Sequence, residues 1–161
     1  MNNEQRTLRL KSEPQSLNKL EVLIQDVCDE NNLEHTYFGC ISVAVTEAFQ
    51  NALEHGNQND LSKEIHITFE KNASGLSFSV EDEGEGFNFS DIPDVKDNGK
   101  EKTFPGRGIF LIKSLCDNVD YNEKGNKISL GFKTTGINIE TAIERQEAFH
   151  TITQPAQKIS N

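Results

Sequence analysis

Two short runs of strict alternation constrain this chain more than anything else in it. Ile65, Ile67 and Phe69 alternate with His66, Thr68 and Glu70, and Leu76, Phe78 and Val80 alternate with Ser77 and Ser79. A period of two puts each set on one face of a strand. With a turn over Asn72 to Gly75 between them, the pair reads as an antiparallel hairpin, apolar on one side and polar on the other. Such a hairpin is not stable alone in water, so its apolar face requires a second layer.

The segments that can supply that layer lie upstream. Residues 16–30 space Leu17, Leu20, Leu23, Ile24 and Val27 by threes and fours, which predicts a helix ended without a strong cap at Asn31-Asn32. A longer helix is predicted over residues 34–55, stopping at Gly56, a residue that accepts the left-handed conformation without penalty. Before both, residues 7–11 (TLRLK) alternate as a short strand, and Ser12, Glu13 and Pro14 break it. Beyond the hairpin, residues 84–108 hold five glycines and two prolines and read as a long loop. Ile109, Phe110, Ile112, Lys113 and Leu115 then fit a short helix, followed by strands near 118–122 and 127–133 joined by Lys124-Gly125-Asn126. The order predicts an α+β two-layer sandwich, a sheet of about five strands with the helices on one side. Residues 134–161 are more polar, with an amphipathic turn or two from Ile139 to Phe149 and a loose tail over about the last twelve residues.

Charge narrows the function classes. Sixteen basic residues against 26 acidic give a net charge of −10 over 161 residues, which disfavours sequence-wide binding to nucleic acid or anionic lipid. A phosphate-bearing ligand therefore needs locally aimed donors or a metal ion. No apolar run approaches the roughly 18 to 20 residues of a membrane span, and no signal peptide is recognisable, so a cytoplasmic protein is expected. Cys28, Cys40 and Cys116 match no zinc or redox spacing and are expected as buried reduced thiols, and the four scattered histidines suggest no structural zinc.

Three local constellations carry chemistry. On the second helix, Phe38, Ile41, Val45, Phe49 and Ala52 gather on one face, and Glu47 and Asn51 project from nearly the opposite one, about 40° apart. An amide oxygen is a hard ligand suited to Mg²⁺, and a carboxylate one turn earlier can deprotonate a hydroxyl or water beside it. The plain alternative is a solvated polar face. Next, the second hairpin strand runs into Asp82-Glu83-Gly84-Glu85-Gly86-Phe87. A strand-end aspartate is a pure acceptor suited to an exocyclic amine such as that of adenine, and the glycines let a ligand touch backbone. The alternative is an ordinary turn. Last, Gly106-Arg107-Gly108-Ile109 opens a helix whose first N–H groups can hold a phosphate with help from the guanidinium. The alternative is a glycine-containing helix start, for no Walker lysine follows.

In this order, helical Glu-x-x-x-Asn, strand-end Asp-x-Gly-x-Gly, long loop and Gly-x-Gly helix, the chain resembles the GHKL ATPase superfamily of gyrase, histidine-kinase and mismatch-repair ATPases. Glu47 to His55 match its N box, Asp82 to Gly86 its G1 box and Gly106 to Gly108 its G2 box, and the resemblance spans about residues 5–133. The Asn51-Ala52 and His55-Gly56 pairs and the run GRGIFLIKSLCDNVDY are similar to bacterial anti-sigma factor serine kinases. The resemblance implies a Bergerat-type sandwich with a mixed, mostly antiparallel sheet. It implies ATP and Mg²⁺ as cofactors, Glu47 as the general base, Asn51 as the Mg²⁺ ligand, Asp82 as the adenine acceptor, and Gly84 and Gly86 beside the base. Gly106, Arg107 and Gly108 would line the phosphates, His55, Phe87 and Ile109 would complete the binding set, and residues 88–105 would form a lid. A sigma factor and a STAS-type anti-sigma factor antagonist are the implied partners, with a homodimer plausible.

The chain also departs from the family. Gly125 is followed by Asn126 where the family often carries threonine, the segment from Thr134 has no counterpart, and Glu81, Glu83 and Glu85 surround Asp82 with negative charge that Mg²⁺ would have to offset. Three readings follow. One is a protein serine/threonine kinase that phosphorylates the antagonist and sequesters a sigma factor, which retention of Glu47 supports. Another is a non-catalytic module whose ATP occupancy shapes a protein-binding surface. The third, a detached histidine-kinase ATPase domain, fares worst, since the first helix carries no histidine and His35 falls at a helix boundary.

Overall fold

The structure, a computed structural model, describes residues 4–91, 106–134 and 139–153. The chain runs β1 (Glu4–Lys11), α1 (Leu17–Glu30), α2 (His35–Asn51), β2 (Glu64–Asn72), β3 (Gly75–Asp82), α3 (Gly106–Leu115), β4 (Asn118–Tyr121), β5 (Lys127–Lys133) and α4 (Ile139–Thr153). Short 3₁₀ turns occupy Pro14–Ser16 and Phe89–Asp91, and a π-helical turn over Ala52–Gly56 continues α2. The five strands form one sheet in the order β1-β2-β3-β5-β4. Every pairing among the described residues is antiparallel, where the family resemblance implies a mixed, mostly antiparallel sheet.

The hairpin forms as its alternation demands. Asn72 Oδ1 accepts from the backbone N–H of Ser74 at 2.9 Å and of Gly75 at 3.1 Å, which closes the turn and sets the register. Phe69 then lies directly opposite Phe78, their ring centroids 5.2 Å apart. Ile65, Ile67, Phe69, Phe78, Val80 and Leu130 make one buried sheet face, and Thr68, Ser79 and Ser129 make the other, partly exposed one. Against the buried face pack Leu20, Ile24 and Val27 of α1 and Ile41, Val45 and Phe49 of α2, each burial worth roughly 1.5–3 kcal/mol for the larger side chains. β1 is longer than its apolar alternation, because pairing with β2 extends from Glu4↔Lys71 to Lys11↔Glu64 and Arg6 reaches Glu30 on α1.

One helix end and one helix face differ from expectation. Asn32 adopts φ +51°, and Leu33 N–H donates to Cys28 O at 3.0 Å, so asparagine supplies α1 with the left-handed cap that its sequence did not announce. Phe38 is only partly buried, whereas Gly39, Cys40, Ala44 and Ala48 are buried, because α2 is enclosed by the sheet, α1, α3 and α4 together. Glu47 and Asn51 are consequently half-buried against a neighbouring helix and do not form a solvated face. Cys28 and Cys40 are buried thiols and Cys116 is partly exposed; burial pushes Cys28 up to about 11 and Cys116 up to about 12.

The C-terminal helix is longer than its pattern suggests. α4 continues through Thr153, and residues 154–161, the rest of the expected tail, lie outside the described residues. Its anchor is a buried arginine: Arg145 pairs with Asp117, donates to Tyr37 Oη at 2.7 Å and lies 5.3 Å above the Tyr37 ring. Tyr37 in turn donates to Lys133 O. The ring of Phe149 occupies the space a side chain on Gly39 would need. Among the described residues no helix is long and apolar enough to cross a membrane.

Candidate functional site

At the end of the sheet where β3 stops, a cavity of about 600 Å³ opens between strands, α2 and α3, a volume in the range of small-molecule sites. Ala48 and Ala52 wall it on the helix side, Val80 and Ile128 on the sheet side, and Ile109 at the start of α3. Asn51, Asp82 and Asn126 bring polar atoms to it.

The π-helical turn shapes one wall. Asn57 N–H donates to Ala52 O at 2.7 Å, five residues back, and the chain then reverses through Gln58 at φ +55° and Asn59 at φ +58°. The expected α-helix through residue 55 with a left-handed Gly56 is thus replaced by a wider turn, a feature common at functional sites, with the left-handed residues after it. Gly56 is required for another reason: a Cβ there would overlap the Asp82 carboxylate. Asn57, wholly buried, staples the turn to the hairpin, its Nδ2 donating to Glu64 O at 2.9 Å and its Oδ1 accepting from Glu83 N–H at 2.8 Å.

Asp82 is therefore boxed in. Its Oδ1 accepts from Gly84 N–H at 2.8 Å. Burial raises its carboxyl above the ordinary value, with the Gly84 hydrogen bond pulling back. Of the three glutamates around it, only Glu85 lines the cavity; Glu81 pairs across the sheet with Lys127 and His66, and the Glu83 carboxylate accepts from Glu64 N–H. The negative crowding expected at this point is largely turned away.

The helical pair and the glycine pair meet beside the same cavity. A Cβ on Gly108 would come within 2.8 Å of Glu47 Oε2 and 3.5 Å of both side-chain ends of Asn51, so α3 crosses α2 at this glycine. Burial raises the Glu47 carboxyl, the positive Arg107 pulls it back and the negative Glu54 adds to the rise. Arg107 is exposed, and Gly106 is the first residue of α3. Gly108 sits beside both Glu47 and the cavity-lining Asn51, while Glu47, Gly106, Arg107 and Gly108 are not themselves among the lining residues.

The remaining expected residues fall around the mouth. His55, Gly84, Gly86 and Phe87 line it, His55 from an exposed position. Phe87 meets the Tyr121 ring edge-on at 5.5 Å, and Phe89 stacks on it at 5.3 Å. Of the expected lid over residues 88–105, residues 92–105 lie outside the described residues. Asn57, Tyr121 and the wall contribution of Asn126 escaped the sequence reading. A buried asparagine carries no pattern, and Asn126 stood out only by replacing threonine.

The sequence model of the histidine kinase-like ATPase domain matches residues 10–132. The serine-protein kinase RsbW of Oceanobacillus iheyensis is 26% identical over 123 residues, covering 73% of this chain and 78% of that protein. With the family match extending over well more than half of its length, the chain belongs to the histidine kinase-like, or GHKL, ATPase family.

Proposed function

We propose that this protein is an ATP-dependent serine/threonine kinase that phosphorylates an anti-sigma factor antagonist and holds a sigma factor in a partner-switching cycle. The carrying observation is that Glu47, Asn51 and Gly108 meet beside the cavity whose other end holds Asp82. The similarity to the RsbW kinase supports the choice of substrate class.

In this reading the purine lies between Ala52 and the sheet residues Val80 and Ile128, and the Asp82 carboxylate accepts from its exocyclic amine. The first N–H groups of α3 and the Arg107 guanidinium hold the phosphates. Asn51 would hold Mg²⁺; among the described residues no group of three or more His, Cys, Asp or Glu is placed for a metal, and a single amide oxygen suits an ion that keeps waters and takes phosphate oxygens. When bound, the ion would neutralise charge on the β- and γ-phosphates. Glu47, kept a better base by burial, takes the proton of the substrate hydroxyl as its oxygen bonds to the γ-phosphorus. The bond to the β–γ bridging oxygen breaks, and ADP leaves.

The test is transfer of label from γ-labelled ATP to STAS-type antagonists, with wild type and Glu47→Ala. Transfer by wild type alone, with ATP binding kept in the variant, is expected. ATP-dependent complexes without any phosphoprotein would favour a non-catalytic binding module.

A further inference from the structure

The turn after β4 is built to hold the strand end that carries Asp82. Asn122 Oδ1 accepts from three successive backbone N–H groups, those of Gly125 at 2.9 Å and of Asn126 and Lys127 at 3.1 Å each. Its Nδ2 donates to Asn126 Oδ1 at 2.8 Å, and Asn126 Nδ2 donates to Asp82 O at 2.7 Å. Asp82 N–H returns a bond to Asn126 O at 2.9 Å. Both backbone polar groups of Asp82 are thereby held by one residue, and that residue is oriented by another.

The loop beyond Asp82 is held by the same turn. Gly86 at φ +79° packs on the Lys124 carbonyl, and Gly125 at φ +76° packs on the Phe87 carbonyl. Neither position has room for a Cβ, and both need the left-handed region. Two backbones interlock here with no side chain between them.

We propose that Asn122 and Asn126 are positioning residues for nucleobase selection, a role that rests on the nucleotide reading above. Asp82 discriminates an amine from a carbonyl only if its acceptor oxygen stays fixed where the amine arrives, because a carboxylate free to swing away avoids the repulsion of the wrong base. Asn126 fixes the backbone that aims it, and Asn122 fixes Asn126. A generic structural contribution would weaken every nucleotide alike. Positioning affects the difference between nucleotides.

The experiment is titration of the full chain with ATP and with inosine triphosphate, which carries a carbonyl in place of the amine. Wild type is expected to prefer ATP by at least about a hundredfold, as sites built around one hydrogen bond do. Asn126→Ala is expected to narrow that preference by about tenfold or more. Asn122→Asp keeps the oxygen that accepts from the three backbone N–H groups and replaces the donor to Asn126 with a charged acceptor that faces Asn126 Oδ1. It is expected to narrow the preference, whatever it costs in melting temperature, and it decides the matter if Asn126→Ala fails to fold. A wild-type ratio in the folded variants, even with both affinities lowered, would overturn the positioning role. Wild type binding both nucleotides equally would instead defeat the assignment of Asp82, and this inference with it.

Discussion

Gly108 and Glu47 touch: the α-carbon of one leaves so little space beside the carboxylate of the other that a methyl group would stand 2.8 Å from Oε2. The atom in the way is the far end of a flexible side chain, so Gly108→Ala is accommodated by moving Glu47 and the fold survives. In the proposed kinase role the chemistry does not. Displacing a base by about 1 Å costs on the order of a hundredfold in rate. Phosphoryl transfer should fall by roughly that factor, while the melting temperature and ATP affinity change little. Single-turnover transfer beside equilibrium ATP titration separates the two, and a variant with wild-type transfer would show that Glu47 has no such role.

The pH dependence of transfer reports on the neighbours of Glu47. Burial raises its carboxyl, Arg107 lowers it and Glu54 raises it. With Glu47 as the proposed base, transfer needs the deprotonated form, so the rate falls as pH drops through its raised value. Arg107→Ala removes the opposing charge and should move the acid limb to higher pH; Glu54→Gln should move it to lower pH. Profiles normalised to each variant's own plateau exclude the separate loss of phosphate binding expected for Arg107→Ala. Opposite shifts of the two limbs are the expected result.

Asp82→Asn should trade binding for stability. The Asp82 carboxyl is raised chiefly by burial, so the folded state holds its proton more tightly than the unfolded state does. Its contribution to stability is therefore fully present below the unfolded value and is lost as pH rises through the folded one. Asparagine has no charge to bury, and its oxygen can still accept from Gly84 N–H. At neutral pH the variant should melt above wild type, and the gap should close in acid. On the proposed assignment of Asp82, ATP affinity should meanwhile drop by at least about tenfold, because an amide can turn a donor toward the amine. Thermal melts at several pH values with ATP titration at pH 7 test both halves.

The legible parts of this molecule are those written as local pattern. The period-two runs around Phe69 and Phe78 announce the hairpin, and the spacing of Leu20, Ile24 and Val27 announces α1. The three segments singled out by residue type are brought together by the fold, with Asn51, Asp82, Gly84 and Gly86 lining one cavity and Glu47 and Gly108 beside Asn51. Asn57, Asn122 and Asn126 were not legible as structural elements. Their work is to satisfy particular buried backbone groups brought close only by the fold, and an asparagine reads locally as a turn residue whatever it does. The π-helical turn was hidden for a similar reason, since Ala-Leu-Glu-His favours an ordinary helix and the close approach of Gly56 to Asp82 is made only in the fold. α4 was underestimated because its anchoring position carries an arginine, which a hydrophobic periodicity counts as surface.

That arginine gives the last prediction. Arg145 and Asp117 are about nine-tenths buried, with side-chain exposures of 8% and 10%. Asp117 also accepts from Lys133 N–H at 2.6 Å, so removing the guanidinium leaves an inward-held carboxylate whose remaining hydrogen-bond partner among the described residues is that neutral amide. Arg145→Ala should cost on the order of 3–5 kcal/mol, most of it the penalty of the stranded charge and not the worth of the pair. If so, Asp117→Asn in the same chain should recover a large part of the loss, because the amide oxygen still accepts from Lys133 and no charge is left uncompensated. A double-mutant cycle by denaturant unfolding measures this. Additive losses in the two single variants would mean that α4 is held by Phe149 against Gly39 and the Tyr37 contact, with the ion pair contributing nothing of its own.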